Sequence, residues 1–559
     1  MLEKFKQDFS DQFLFFNVDS GSNVGFGCGH NSNLLRAESE FFLVTNVDLE
    51  FELNSLTVLV RSAESDDSRV AAWECRQKPY EHPKHYDPVT GETLWCSSAC
   101  VLFRTSAIRK LGGYESRIFM YGEDVELSYR LRAHGFLLRY VPKSVVWHYS
   151  YDEAGQVKPL QFLGSTTANV LLRCRYGKWH EVFVGFGLYL GLFLTPPQFS
   201  GQRYQLFLGL LKMLRLAPYF LATRHRSDAK FPFRFWDYEM TREGAFYKYQ
   251  DPENGKFPLV SIIVRTMPGR SGKLREALKS IAAQTYECIE LVVVEDGGNS
   301  AQTTIEDYQK NGFFKKTTYL PQKKVGRCVA GNLALAAATG DLVCFLDDDD
   351  LFYSDHIEVL VAEWMKNPEL GAVYGLAFQV KTEISSHEPW VYRDLEHSVI
   401  YRQSFSRVLI WHHNYLPIQT VLFRRDLYVK YGGFDEELDN LEDWNLWVRY
   451  SLHHDFLMIP KVTSLYRVPS VSTQAFERQK VLDDYYAKAQ EKHSRLRVQV
   501  SPADVLKMTE ELSRELYVAV VPAHPLRNLV LRVPGLRRLY HPLRRAYHLF
   551  RKVRNRPRS

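Results

Sequence analysis

A chain of 559 residues is longer than one hydrophobic core usually serves, so two or more domains are expected. Hydrophobic residues at 45% and charged residues at 24% describe an ordinary globular protein; the 14% of aromatics suits either core filling or contact with sugars and lipid. The eight cysteines form no CxxC pair, which excludes a disulfide framework or a zinc-finger pattern, and the net charge of +6 is modest but unevenly placed.

The N-terminal MLEKFKQDFSDQFLFF has neither the apolar run nor the small-residue cleavage site of a secretory signal. Together with the scattered thiols, this gives an expected cytoplasmic address. NVGFGCGHN (23–31) leads to the acidic turn TNVDLEF (45–51), then Leu111-Gly112-Gly113-Tyr114, Glu123-Asp124 and Arg130. Residues 159–250 then mix leucine, aromatic and basic side chains at helical spacing, which fits helices lying on a membrane interface or packing one domain on another. Their longest apolar run, 182–194, is short of the ~20 residues that a bilayer requires. A linker is expected at 245–258.

Beyond it the spacing predicts an open α/β sheet. PLVSIIVRT (258–266), IELVVVEDG (289–297) and DLVCFL (341–346) read as buried parallel strands, with a helix over 273–284 between the first two. Ligands bind at the carboxyl ends of such strands. The third strand runs into LDDDDLF (346–352), followed by Tyr431-Gly432-Gly433-Phe434, Glu442-Asp443 and Arg449. This order repeats that of the first half. Eleven residues separate Gly113 from Asp124 and ten separate Gly433 from Asp443, and the step from the Asp to the Arg is six in both. The chain is therefore a tandem repeat. Only 22 residues precede Asn23, against the 69 of 257–325, so the first unit is expected to be incomplete on its nucleotide side.

VSIIVRT, ELVVVEDG, GRCVAGNLALAAATGDLVCFLDDDD and YGGFDEELDNLEDWNLWVR together resemble the family 2 glycosyltransferases of GT-A fold across 257–475. The first half resembles their rhamnosyltransferase-like branch through NVGFGCGHN, SSACVLFRTSAIRKLGGYE, FMYGEDVELSYRLRAHG and VPKSVVWHYS. The resemblance implies two GT-A-type, Rossmann-like units: 1–158 (partial) and 257–475 (complete), with a helical linker at 159–256 and a basic helical tail at 476–559. It implies inverting transfer from a UDP- or dTDP-linked sugar to a glycan or lipid-linked acceptor, in cell-surface polysaccharide synthesis.

The residues carry the chemistry as follows. A departing diphosphate needs a divalent cation, Mg²⁺ or Mn²⁺, and hard cations take carboxylate oxygens. The resemblance gives Asp347 and Asp349 to the metal, with Asp349 in direct contact and Asp347 and Asp348 near ribose and diphosphate. In the first unit Asp48 and His148 take that part. An acceptor hydroxyl needs a general base, here Asp443 and its counterpart Asp124. Arg265, Thr266, Glu295, Asp296, Arg327, Asn332 and Glu442 are the further expected nucleotide-sugar contacts. Val468 stands where many relatives have a histidine.

From 527 to 558 the tail carries eleven Lys and Arg, no Asp or Glu, and interleaved leucines. That pattern fits an anionic membrane surface better than nucleic acid and implies peripheral attachment at the cytoplasmic face of the inner membrane. A non-catalytic carbohydrate-binding or scaffold protein is the competing reading, and the intact DDDD and ED pairs of the second unit argue against it there.

Overall fold

The structure is a computed structural model that describes residues 21–82, 84–149, 157–224, 227–244 and 257–520. The linker expected at 245–258 and the basic tail at 527–558 lie almost wholly outside the described residues.

The first unit is built on five strands, β1 (Phe41–Thr45), β2 (Leu49–Phe51), β3 (Val70–Lys78), β4 (Cys100–Arg104) and β5 (Leu137–His148), ordered β1-β4-β3-β5-β2. β3 and β5 run parallel and the other pairs antiparallel. Every residue of β3 is buried, as expected of a central strand covered on both faces. Helix α1 (Phe26–Arg36) starts on Gly25 at φ 91°, and helix α2 (Glu123–Ala133) carries the ED pair in its first turn. Three helices follow: α3 (Pro159–Tyr176), α4 (Trp179–Gly191) and α5 (Gln202–Ala222). α3 packs on α2 through Val170, Leu171 and Cys174 against Val125 and Tyr129. The buried Arg175 ties it to Glu126 at 2.6 Å and Glu115 at 2.8 Å. These helices therefore extend the first unit.

The second unit has nine strands: β6 (Val260–Thr266), β7 (Ile289–Asp296), β8 (Lys316–Gln322), β9 (Leu342–Asp347), β10 (Leu351–Phe352), β11 (Ala372–Ser386), β12 (Val391–Ser398), β13 (Val421–Arg424) and β14 (Phe456–Pro469). Their order is β10-β14-β11-β13-β9-β6-β7-β8, with β12 on the edge of β11. β9, β6, β7 and β8 are parallel, as the apolar runs predict for β6, β7 and β9, while β8 was not among the expected strands. They are flanked by α6 (Ser271–Ala282), α7 (Gln302–Lys310), α8 (Arg327–Ala337) and α9 (His356–Lys366), while α10 (Glu442–Ser451) and α11 (Ser472–Ser494) pack on the other half. α11 spans the expected boundary at 475. It belongs with the second unit, because Tyr486 stacks on Trp444 at 5.1 Å and Lys492 pairs with Asp435 at 2.7 Å.

Strand for strand, β1-β4-β3-β5-β2 repeats β9-β13-β11-β14-β10. Ala72 pairs with Phe103 on β4 as Ala372 pairs with Phe423 on β13. The same register sets Asn46 at the place of Asp347, Asp48 at that of Asp349, and His148 at that of Tyr466. Val468, two residues further on, is not the counterpart of that histidine. Two clamps also recur. Asn31 exchanges two bonds with the Tyr114 backbone, and Asn332 does so with Phe434. Arg130 donates to the carbonyls of Leu111 and Gly113, and Arg449 to those of Tyr431 and Gly433. Among the described residues the first sheet has no counterpart of β6, β7 and β8.

The units meet across buried charge. Arg242 pairs with Asp355 at 2.8 Å and Glu81 at 2.7 Å, Lys461 joins the same two acids, and Arg76 pairs with Glu358. Tyr86 and Ser354 share a hydrogen bond of 2.6 Å. An apolar cluster containing Tyr140, Tyr353, Phe378 and Leu465 seals the contact.

Candidate active site

The acidic turn forms where β9 ends. Strand pairing stops at Asp347, a turn carries Asp348 and Asp349, and β10 resumes two residues after Asp349. Each carboxylate meets a different partner. Arg265, buried at the end of β6, donates Nε and Nη2 to the two oxygens of Asp347 at 2.8 and 3.0 Å, and Nη1 to Glu442 at 2.9 Å. Burial works against the charge of Asp347, but this fork holds its carboxyl below the usual range. Asp348 accepts from the Thr266 hydroxyl at 2.6 Å and pairs with Arg270 at 2.7 Å, yet burial pushes it up to about 7. Asp349 pairs through Oδ2 with Arg270 and Lys273, and 37% of its side chain is exposed. Asp350 is buried, accepts from the Arg467 backbone N–H, and is driven well above the carboxylate range by burial.

The base candidate faces this cluster. Asp443 sits in the first turn of α10, next to the Glu442 that Arg265 holds. Its Oδ1 accepts from the Trp444 N–H at 2.8 Å and its Oδ2 from Asn414 at 3.0 Å. Burial first, then the Glu442 charge, pushes it up to about 7. Beside it a narrow pocket is lined by Tyr374, Tyr401, Tyr415 and Tyr466. The first unit places another at the same strand positions, Glu74, Cys75 and Gln77 of β3.

Other expected contacts are occupied differently. Glu295 is fully buried and caps α7 by accepting from Ser300, Ala301 and Tyr319; it is a structural acid with no face toward a nucleotide. The Asn332 amide is spent on the Phe434 backbone and on Glu436, so it closes the YGGF turn rather than meeting a donor. Asp296 accepts from the N–H groups of Val325 and Gly326 and from Lys324, which hold its carboxyl below the usual range against its burial. Instead of offering its backbone alone, Arg265 brings its guanidinium into the acidic centre. Arg327 is 52% exposed and lies 3.8 Å from Glu442, open to an incoming anion.

In the first unit His148 lies 3.5 Å from Asp48 and 3.4 Å from Asn46, with its other ring nitrogen on Gln77 at 2.8 Å. Burial lowers its pKa, favouring the neutral imidazole that ligates metals. Asp124 accepts from the Val125 N–H at 2.8 Å and is raised by burial.

Among the described residues no three Asp, Glu, His or Cys side chains converge on one metal position. The second unit fits a different arrangement. Mg²⁺ is commonly held by one or two carboxylates together with substrate phosphates. In the partly exposed Asp349, Arg270 and Lys273 both bond Oδ2, which leaves Oδ1 for that.

Profiles of two families match: "Glycosyl transferase family 2" over residues 261–432, and "Glycosyltransferase like family 2" over 59–161. The chain thus carries two regions in tandem that match glycosyltransferase family 2 models. An uncharacterised glycosyltransferase of Rickettsia typhi is 28% identical over 198 residues, 35% of this chain and 60% of its own length. An N-acetylglucosaminyl-diphospho-decaprenol L-rhamnosyltransferase of Mycobacterium tuberculosis is 37% identical over 87 residues, 15% of this chain and 28% of its own. The chain thus spans about 60% of the first of these two relatives and less than a third of the second. A mannosyltransferase of Pyrobaculum calidifontis in complex with GDP-Man and Mn²⁺ is similar over 54% of this chain and 86% of its own, at 20% identity and a TM-score of 0.35.

At this site, sequence reasoning missed Arg270, Lys273, Arg467 and Asn414. Arg270 and Lys273 had a signal, two cations three apart at the start of the helix that follows β6, the strand ending nearest the acids. Asn414 had none beyond its place in a loop.

Proposed function

We propose that the second unit catalyses inverting, metal-dependent transfer of a hexosyl or deoxyhexosyl group from a UDP- or dTDP-linked donor to a glycan or lipid-linked acceptor. The observation that carries the reading is Arg265, which joins the first aspartate of the DDDD turn to Glu442 and so fixes donor and base sides to one another.

Asp443 takes the proton from the acceptor hydroxyl as that oxygen attacks the anomeric carbon; one displacement inverts the centre. Asn414 orients the carboxylate, and the partly exposed Tyr401 and Tyr466 beside it offer ring faces for an acceptor sugar. A divalent cation, Mg²⁺ or Mn²⁺, when bound with the donor, supplies charge neutralisation at the leaving diphosphate, with Asp349 its protein ligand. Arg327 and Lys273 are placed to pair with diphosphate oxygens.

The first unit supports a different role. It keeps Asp124, Asp48 and His148 but, among the described residues, has no strands matching β6–β8. A non-catalytic scaffold or glycan-binding role fits it best. The proposed setting is cell-surface polysaccharide synthesis, with the protein peripheral on the cytoplasmic face of the inner membrane. A screen of nucleotide-sugars for metal-dependent transfer tests the reading, with Asp443→Asn and Asp349→Ala as controls. Undiminished turnover in both variants overturns it.

A further inference from the structure

The helices following the first sheet carry an apolar face that no described residue covers. On α5 the stripe Leu206, Met213, Ala217 and Phe220 is buried with α3 in one core. Directly opposite, at the same helical spacing, Tyr204, Phe207, Leu208, Leu211 and Leu214 are between 41% and 65% exposed. α4 repeats the arrangement, with Val182, Gly185 and Tyr189 turned inward while Trp179 and Phe183 stand 61% and 73% exposed. So much contiguous apolar surface marks an interaction site.

The charge around it identifies the occupant. From residue 182 to 227 there is no Asp or Glu, and there are five cations: Arg203, Lys212, Arg215, Arg224 and Arg226. Arg203 lies on one flank of the exposed stripe of α5, with Lys212 and Arg215 toward the other, and all three are exposed. A second copy of the chain docked face to face would oppose these cations with identical cations. The chain's own basic tail, which also lacks acids, would do the same. α5 is long and apolar enough to cross a bilayer, but its inner stripe is held against α3, so it lies along a surface.

We propose that the outer face of α4 and α5 docks on an anionic lipid bilayer, Trp179, Phe183, Phe207 and Leu211 entering the acyl boundary and Arg203, Lys212 and Arg215 meeting headgroup phosphates. This gives the peripheral-membrane part of the reading above a definite surface and rests on that part alone, not on the transfer reaction. It places the primary contact on the folded helices rather than on the tail.

Co-sedimentation of the full chain with phosphatidylcholine vesicles, with and without phosphatidylglycerol, tests it. Binding is expected to need phosphatidylglycerol and to fall about tenfold or more in Phe207→Glu/Leu211→Glu. Removing the basic tail by a stop codon at Arg527 is expected to leave most of it. If the helix variant fails to fold, Trp179→Phe, a conservative change at an exposed site, keeps the test open: quenching of tryptophan emission by brominated lipid should drop in it. Three results each overturn the proposal: wild-type binding retained by the helix variant, binding lost only in the tail variant, or no vesicle binding alongside a concentration-dependent dimer. Transfer to a soluble acceptor should be equal in wild type and Phe207→Glu/Leu211→Glu, so absence of transfer by a wild-type chain that binds vesicles counts against the proposed reaction and not against this surface.

Discussion

At Asp443, burial and Glu442 push ionisation up to about 7, so the proposed base is half protonated near neutral pH. kcat/KM is expected to fall about tenfold per unit as pH drops below about 7, and Asp443→Asn should lose about 10²–10⁴-fold and flatten that limb of the profile. Stability should move the other way. A carboxyl whose folded pKa lies above its unfolded value destabilises the fold once it is charged. The Asn variant should therefore be more stable by about 1–3 kcal/mol above pH 7, with the gain fading toward pH 4, as denaturant melts at both pH values would read. Asp349→Ala should lower kcat about 10²-fold and raise the cation concentration needed for half-maximal rate; an unchanged metal titration would remove Asp349 from that role.

Among the elements, β6, β7 and β9 were legible because a parallel strand covered on both faces reads as an unbroken apolar run ending in polar residues. The helix after β6 was also legible, by its spacing, two residues from where it starts. Side-chain assignments at the strand ends were not legible to the same degree, because neighbouring acids alternate faces. In the pair Glu295-Asp296, Glu295 turns into the sheet to cap α7, while Asp296 gathers the N–H groups before α8. Sequence spacing gives both an equal claim on a nucleotide. Asn332 misleads for another reason, since a clamp on a turn is as regular in sequence as a ligand contact, and only its repeat at Asn31 shows the structural use. Asn332→Ala and Asn31→Ala should each cost about 1–2 kcal/mol in urea melts, with the donor KM of Asn332→Ala unchanged. A raised donor KM would restore Asn332 to the site.

For the whole molecule the repeat was legible and the manner of its assembly was not. The ion network joining the units draws Glu81 from the first, Arg242 from the connecting segment, and Asp355 and Lys461 from the second, positions up to 380 residues apart that no local pattern links. Both cations are nearly inaccessible, so removing one leaves two buried carboxylates sharing a single cation. Arg242→Met should cost about 3–5 kcal/mol and lower Tm, whereas Arg393→Met, in an exposed pair with Glu383, should cost under about 1 kcal/mol. Asp355 is opposed by its burial but held well below its usual range by Arg242 and Lys461. Its contribution is therefore present above about pH 4 and lost as the solution is acidified below that.

Tyr86 and Arg242 grip Ser354 and Asp355, four and five residues beyond the last of the four aspartates. The chain is therefore not divisible at its own internal symmetry. A fragment cut to hold only the complete transferase unit would leave Glu358 shaped for cations that had been left behind and Asp355 with one of its two, and would loosen the segment that follows the four aspartates.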